Sequence, residues 1–383
     1  MNSSKRNFIK GLGVLTSAGL LTSFVNGQQV GAQNSSVFNV KDFGAKGDGI
    51  TSDSDAIQKA LDAAGKVHGT AYFPSGNYMC HDLKVHSYSS VMAEHQWGYR
   101  EKAGAVLTID NEDADCIFNI SETFGCHIRG LYLQGNRSAK KIQHGIFLNH
   151  PVTHTKGENS PVIEDMCITN FSGHGVYLLR IWLFIIRHSI IKANEGHGVC
   201  INGWDGFVID NQFAGNGKSG FACETEGCAV MFTANRVEWN REYGLYLFNG
   251  DCWNVTGNAF DRNFGAAISA NTINDATFTG NVFRRNGKDS EKLQEGLDES
   301  CQILVQNCRG ISITGNSGAA GQDDFGRGTF SPNYVFWLKD NTCSVITANA
   351  FYNGYLKDMI IDKGGNTESF LINNNIGSSP VQI

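Results

Sequence analysis

Five segments repeat one pattern, an apolar residue, two variable residues and an asparagine: Ile191-Lys192-Ala193-Asn194, Phe213-Ala214-Gly215-Asn216, Val237-Glu238-Trp239-Asn240, Phe260-Asp261-Arg262-Asn263 and Phe283-Arg284-Arg285-Asn286. Their asparagines lie 22, 24, 23 and 23 residues apart. A second, offset series, Asn211, Asn235, Asn258 and Asn281, keeps the same period with spacings of 24, 23 and 23. Two ladders of one period mean one structural unit repeated.

A period of 20 to 25 residues suits either a leucine-rich repeat or a parallel β-solenoid, and composition decides between them. Leu is sparse at the positions a leucine-rich repeat needs, and no segment inside the repeats has the length and periodicity of a helix. Short alternating runs such as Gly244-Leu245-Tyr246-Leu247-Phe248 read as strands. The expected fold is therefore all-β, a parallel β-helix of coils of about 22–24 residues, with three short strands per coil and apolar residues turned into a narrow core. Gly or Asn is expected to take the left-handed bends, and each ladder Asn to bond to its copies in the coils above and below. The 45 glycines and 5 prolines fit this geometry.

Outside the repeats, residues 1–32 carry Lys5, Arg6 and Lys10, then an apolar stretch, then Val30-Gly31-Ala32 before Gln33. That order reads as a signal peptide and implies an exported, periplasmic or extracellular protein. Its removal deletes three cations and no Asp or Glu, so the remainder, 33–383, is more acidic than the net charge of −6 of the whole chain. An acidic surface argues against nucleic acid as a partner, and the apolar stretch is too short and Ser/Thr-rich for stable membrane insertion. The 11 cysteines lack the paired spacing of a zinc site or a disulfide framework and read as core filler.

A solenoid must have its open end covered. Residues 37–65 supply an N-terminal cap, in which Ala56, Ile57, Ala60, Leu61 and Ala64 mark one face of a short helix, with Ser52 and Asp55 as its capping pair. The block Val40-Lys41-Asp42-Phe43-Gly44-Ala45-Lys46-Gly47-Asp48-Gly49, followed by Asp53, Asp55-Ala56-Ile57-Gln58-Lys59-Ala60-Leu61 and Ala71-Tyr72-Phe73-Pro74-Ser75-Gly76-Asn77-Tyr78, resembles the N-terminal block of the pectate-lyase-like superfamily of right-handed parallel β-helices. The resemblance implies a single right-handed β-helix acting on a polysaccharide or oligosaccharide. It does not choose a reaction, because the superfamily holds glycoside hydrolases, polysaccharide lyases, uronate epimerases and tailspikes.

Hydrolysis needs two carboxyl groups, one as acid and one as base or nucleophile. Elimination from a polyuronate needs a base, which the resemblance implies to be Arg or Lys, with Ca²⁺ or Arg neutralising the substrate carboxylate. If Val237, Phe260 and Phe283 point inward, then Glu238, Asp261 and Arg284 point outward in three successive coils, with Arg236 beside them and Trp239, Arg262 and Arg285 at the bend. This column offers an acid pair about 5 Å apart and an indole for a sugar; the plainer reading is a charge ladder in which Arg284 neutralises Asp261. A second column holds Glu224 and Glu226, and Trp204, Asp205 and Asp210 sit at bends.

The leading expectation is a glycoside hydrolase with Glu238, Asp261, Asp205, Glu224 and Arg236 as catalytic candidates. Trp204, Trp239, Asp210, Glu226, Arg262 and Arg284 are the substrate-binding candidates. No cofactor or metal is expected, except that in the lyase alternative Arg236 or Arg284 is the base and Glu224, Glu226 or Asp261 holds Ca²⁺. A non-catalytic glycan-binding or structural β-helix is the third reading. Gly173-His174-Gly175-Val176 and Gly196-His197-Gly198-Val199 place two imidazoles one coil apart, about 5 Å, as repetition at a bend without a third ligand. Trp97 is expected to pack as core or cap, and the interruptions at 149–160, 287–300 and 318–332 read as solvated surface loops, with a part in the binding face, and for 149–160 a wall over the groove, as the alternative.

Overall fold

A computed structural model describes residues 36–150, 157–288, 300–323, 326–367 and 369–380. The signal-peptide reading of residues 1–32 therefore lies outside the described residues. So do His154 and Lys156, most of 287–300, and Asp324. Residues 36–383 form one compact unit.

The coil path is plain in one repeat. Met231–Thr233 lies in sheet 1, Arg236–Glu238 in sheet 2 and Leu245–Asp251 in sheet 3, and Asn254–Thr256 returns beside Met231–Thr233. Repetition of this path stacks 13, 13 and 11 strands in the three sheets, and the strand pairs are parallel. The fold is the expected parallel β-helix with one short helix near its start.

Inside, the predicted phase holds: Val237, Phe260 and Phe283 are each 0% exposed. Phe260 and Phe283 stack with ring centroids 5.4 Å apart and an interplanar angle of 10°. Each such ring contributes about 2–3 kcal/mol by leaving water, and equivalent positions repeat that gain coil after coil.

Both asparagine ladders form. Asn240 donates through Nδ2 to Asn263 Oδ1 at 2.9 Å and to the Phe213 carbonyl at 3.1 Å, while its own Oδ1 accepts from the Asn216 backbone N–H and side chain at 3.1 and 2.9 Å. The offset series runs the same way from Asn211 to Asn375. The bends themselves differ from expectation. The residue before each ladder Asn takes the left-handed conformation, and it is often neither Gly nor Asn: Trp239, Arg262 and Arg285 have φ of 59°, 57° and 55°. This backbone costs an L-residue roughly 1 kcal/mol, and the buried amide ladder holds it in place.

The cap helix, α1, spans Ser54–Lys66 and buries Ile57, Ala60, Leu61 and Ala64, as its periodicity predicts. Its N-cap is Asp53 rather than Ser52, and no side-chain cap bond forms there. The Asp53 carboxylate instead accepts the backbone N–H groups of Lys46 and Gly47 at 2.6 and 3.0 Å, tying the preceding loop to the helix. Gly47 allows that turn, with φ of 63° and a site where an added Cβ would meet the Tyr78 ring at 2.9 Å.

Eight of the eleven cysteines are buried, as core filler would be. No helix among the described residues is long and apolar enough to cross a membrane.

Candidate functional site

The outer face of sheet 2 carries the predicted column. Register pairs Ala214 with Glu238, Glu238 with Asp261, and Asp261 with Arg284. Glu238 and Asp261 are nevertheless only 6% and 8% exposed, because long neighbours close over them. Glu238 accepts from Arg236 Nη2 at 2.8 Å and from Gln212 Nε2 at 2.6 Å. Asp261 accepts from Arg262 Nη1 at 2.7 Å, and from Arg285 Nε and Nη2 at 3.0 and 2.8 Å. Glu238 thus has one guanidinium and Asp261 two.

The cation that neutralises Asp261 across the coil boundary is Arg285, not Arg284. From its left-handed bend Arg285 turns back over the preceding coil, whereas Arg284 stands exposed on its strand. Arg285 also donates to the Gln322 carbonyl at 3.1 Å, and Ser331 Oγ donates to the Arg285 carbonyl at 3.2 Å. These bonds fasten the antiparallel pair Gly321–Asp323 and Arg327–Ser331 beside the column. The 318–332 interruption, read from the sequence as a surface loop, is thus fastened against the column although Arg327–Phe330 stay exposed. Trp239 is half-buried, with the Arg262 guanidinium 4.6 Å and Lys288 Nζ 5.3 Å from its ring centroid.

A second segment at this face has no counterpart among the expected loops. Residues 94–104 cross the outside of sheet 2, anchored by Trp97, which is 8% exposed and packs against Val106, Tyr132, Cys167 and Ile190. Trp97 packs as expected, and in doing so it holds His95 and Tyr99 over the coils. Between this loop and the bend joining sheets 1 and 2 lies an open cleft of about 410 Å³, lined among others by His95, Trp97, Tyr99, His188, Asp210, Gln212 and Arg236.

The cleft gathers titratable groups. Lys192 Nζ donates to the Tyr99 carbonyl and sits 4.0 Å from the Tyr99 ring centroid. Burial holds the Lys192 ammonium below its ordinary pKa. Burial, and then the charge of Glu238, hold the Tyr99 phenol above its own. The Arg236 guanidinium is raised by its bond to Glu238. His188 is raised by its bond to Asp165, Nδ1 to Oδ1 at 2.5 Å. His95 stacks on Trp97 with centroids 4.1 Å apart, its Nδ1 being 3.9 Å from the same Asp165 oxygen.

The structure therefore brings together Arg236, Glu238, Asp261, Arg262, Trp239 and Asp210, with Arg284 next in the column. It places the rest elsewhere. Glu224 and Glu226 lie in the sheet 3 strand Phe221–Cys228, and Trp204 and Asp205 at the bend from sheet 3 to sheet 1. There Trp204 stacks on Trp182 at 4.1 Å and Asp205 has φ of 58°. Glu224 accepts from His197 Nε2 at 2.8 Å, and that bond, with Lys218 nearby, holds its carboxyl down at about 2.

His197 ends a row. The rings of His144, His174 and His197 stack at successive centroid distances of 5.2 Å, close to the predicted spacing. His144-Gly145-Ile146 is a third copy of the motif, one coil earlier. Each Nδ1 accepts the backbone N–H of the next coil, to His174, His197 and Ser219 at 3.0, 2.9 and 2.9 Å. Those bonds engage one nitrogen of each ring in joining the coils, and His197 Nε2 is bonded to Glu224, so the row serves as a structural repeat at a bend.

Of the three carboxylates proposed for Ca²⁺, Glu226 is exposed and the other two are already engaged. Asp261 lies between two guanidiniums, and Glu224 already accepts from His197. Of the residues that the column reading missed, His95 and Tyr99 come from the loop, Asp165 and His188 from a bend, and Lys192 from the sheet 2 strand Ile190–Lys192, where it pairs with Ala214 in the same column. The loop's sequence signal was the aromatic cluster His95-Gln96-Trp97-Gly98-Tyr99, and that of Lys192 was its place in the first of the five repeated segments.

Comparison with known proteins agrees with this architecture. Residues 37–92 match the family profile described as rhamnogalacturonase A/epimerase, pectate lyase-like, and residues 174–325 match that of the right handed beta helix region. A 42-residue segment is 69% identical to alginate lyase 7 of Azotobacter vinelandii, covering 11% of this chain and 5% of that protein. Mannuronan C5-epimerase AlgE6 of the same organism is 29% identical over 214 residues, 52% of this chain and 23% of its own length. The matches thus span under a quarter of these curated relatives. Among solved structures, the A-module of that epimerase superposes with a TM-score of 0.64 at 18% identity, covering 90% of this chain and 100% of the module. Tailspike protein 2 of an Escherichia coli O157:H7 bacteriophage gives 0.66 at 13% identity, covering 88% and 46%.

Proposed function

For this chain, a right-handed parallel β-helix with the pectate-lyase-like N-terminal block, we propose a carbohydrate-active enzyme that removes the C5 proton of a uronate unit within a polysaccharide. Proton removal beside a carboxylate is the step common to β-elimination and C5 inversion, the reactions in the names of its alginate lyase and mannuronan epimerase relatives. It needs a cation on the substrate carboxylate, a base, and a proton donor. The observation that carries the reading is that Arg236 and Tyr99 line the cleft and Lys192 sits against the Tyr99 ring. Arg236, its side chain 58% exposed, can meet a carboxylate. Burial lowers the Lys192 pKa, the direction a base needs, and raises that of Tyr99, which touches it, the direction a proton donor needs. A polymer of this kind lies outside the cell, which fits an export signal at residues 1–32; N-terminal sequencing of the exported protein should then begin near Gln33.

Glu238 and Asp261 act here as anchors for the guanidiniums. Their adjacency in register favours one second reading, the glycoside hydrolysis expected from the sequence, with the two carboxylates as acid and base. Digestion of polymannuronate and polygalacturonate in deuterated water tests both. Deuterium at C5, or an unsaturated uronate end with no added water, supports proton abstraction. Products heavier by one water, with full activity in Lys192→Met, establish hydrolysis instead.

A further inference from the structure

The left-handed rung between sheets 1 and 2 repeats along the whole stack, and its occupants are uneven. At Ala234, Gly257, Gly280, Gly315 and Ala348 it holds a small residue with φ between 55° and 67°. Three successive rungs carry polar side chains in the same backbone, Asp165, His188 and Asp210, at 54°, 50° and 57°. These rungs lie at the loop that supplies His95. Strained backbone bearing polar side chains is a recurring mark of a functional site.

We propose that His95, Asp165 and His188 form a binding site for a divalent first-row transition ion, Zn²⁺ foremost, with an open position facing the cleft. Their ligand atoms, one from each residue, all lie within 4.8 Å of one another. Tetrahedral zinc with ligands at roughly 2 Å sets its donors about 3.3 Å apart. The contacts of 2.5 Å from His188 to Asp165 and 3.9 Å from His95 to Asp165 bracket that spacing. Two imidazoles and one carboxylate are a zinc-type donor set, while Ca²⁺ prefers oxygen alone.

The support behind the ligands is already built. Trp97 stacks on the His95 ring and donates its indole N–H to the Asp165 carbonyl at 3.1 Å, so one buried side chain orients two of the three donors. Side-chain exposures of 39%, 25% and 61% for His95, Asp165 and His188 leave the position reachable. Three protein ligands and an open site facing a cleft are the arrangement of a zinc centre that also takes a water or a substrate oxygen.

The test is calorimetric titration of chelator-stripped protein with ZnCl₂ and, separately, CaCl₂. Binding is read directly, so the outcome does not depend on the reaction proposed above. One equivalent of Zn²⁺ should bind, at least ~10-fold more weakly in His95→Ala, His188→Ala and Asp165→Asn. A Cys252→Ser/Cys343→Ser variant, which removes the exposed thiols, should bind as the parent does. Circular dichroism confirms that each variant is folded, and the three separate substitutions keep the test usable should one fail. Absence of Zn²⁺ binding, binding that survives in the histidine variants, or equal affinity for Ca²⁺ overturns the site.

Discussion

Asp261 and Arg285, one coil apart, are joined by two parallel bonds, Nε to Oδ1 at 3.0 Å and Nη2 to Oδ2 at 2.8 Å. Both side chains are nearly enclosed, at 12% and 11% exposure. Removing one partner of such a pair leaves a desolvated charge behind and costs on the order of 2–4 kcal/mol. Arg285→Ala should therefore lower stability by about that amount in urea denaturation, and Arg284→Ala, on the exposed strand position, by under about 0.5 kcal/mol. The reverse order of effects would restore Arg284 as the neutralising residue.

At the cleft, the three groups assigned to proton transfer should separate kinetically. Tyr99→Phe keeps the ring beside Lys192 and removes only the hydroxyl, so kcat on a uronate polymer should fall by about 10²-fold or more. Lys192→Met should do the same, while Arg236→Ala should act mainly on KM by loosening the substrate carboxylate. Glu238→Gln retains an acceptor for Arg236 and should keep most of the activity. Complete loss in Glu238→Gln and Asp261→Asn, with Tyr99→Phe unaffected, would instead identify the carboxylates as the reacting groups.

The difference between what the sequence revealed and what it concealed has a physical origin. Val237, Phe260 and Phe283 recur at a fixed period because a stack of identical coils demands the same inward volume at the same place, so the fold and the outward phase of Glu238 and Asp261 could be read directly. The bonds those carboxylates make could not. Arg285 reaches Asp261 because its backbone is left-handed, a property the alternation of a strand does not encode. The cleft depends on residues 94–104, a single crossing with no copy elsewhere in the chain, and on the bend rung that carries Asp165 and His188. Periodicity finds what repeats, as with Lys192 and Arg236 on their sheet 2 strands, and is silent on the loop that crosses over them.

The amide ladders should behave as cooperative elements. Asn240 is 0% exposed, and its side chain takes part in four hydrogen bonds to the coils on either side. Asn240→Ala strands donors and acceptors in both neighbours, at roughly 1–3 kcal/mol for each buried group left unsatisfied. The expected loss exceeds 2 kcal/mol, and amide exchange should quicken in the coils of Asn216 and Asn263 together. Faster exchange confined to the mutated coil would show that the ladder transmits nothing.

The histidine row predicts how stability depends on pH. Burial pushes the His144 imidazole down to about 4 and His174 further below its ordinary range. The folded state thus keeps both rings neutral, as their Nδ1 acceptor bonds require, while the unfolded chain takes up protons near pH 6.5. Between pH 6.5 and 4 the unfolded state binds more protons than the folded one, so stability falls as pH falls. His144 alone accounts for up to about 3 kcal/mol across that window. Other charges meet the row as well: Asp115 raises His144, Glu224 raises His174, and Lys218 and the neighbouring rings lower His174. Glu224, held at about 2, adds a separate loss only below pH 4.5. His144→Asn retains an acceptor for the His174 backbone N–H but removes one titrating ring. Denaturation midpoints measured from pH 7 to 4 should fall less steeply in this variant than in the parent, and parallel slopes would show that the row does not control acid stability.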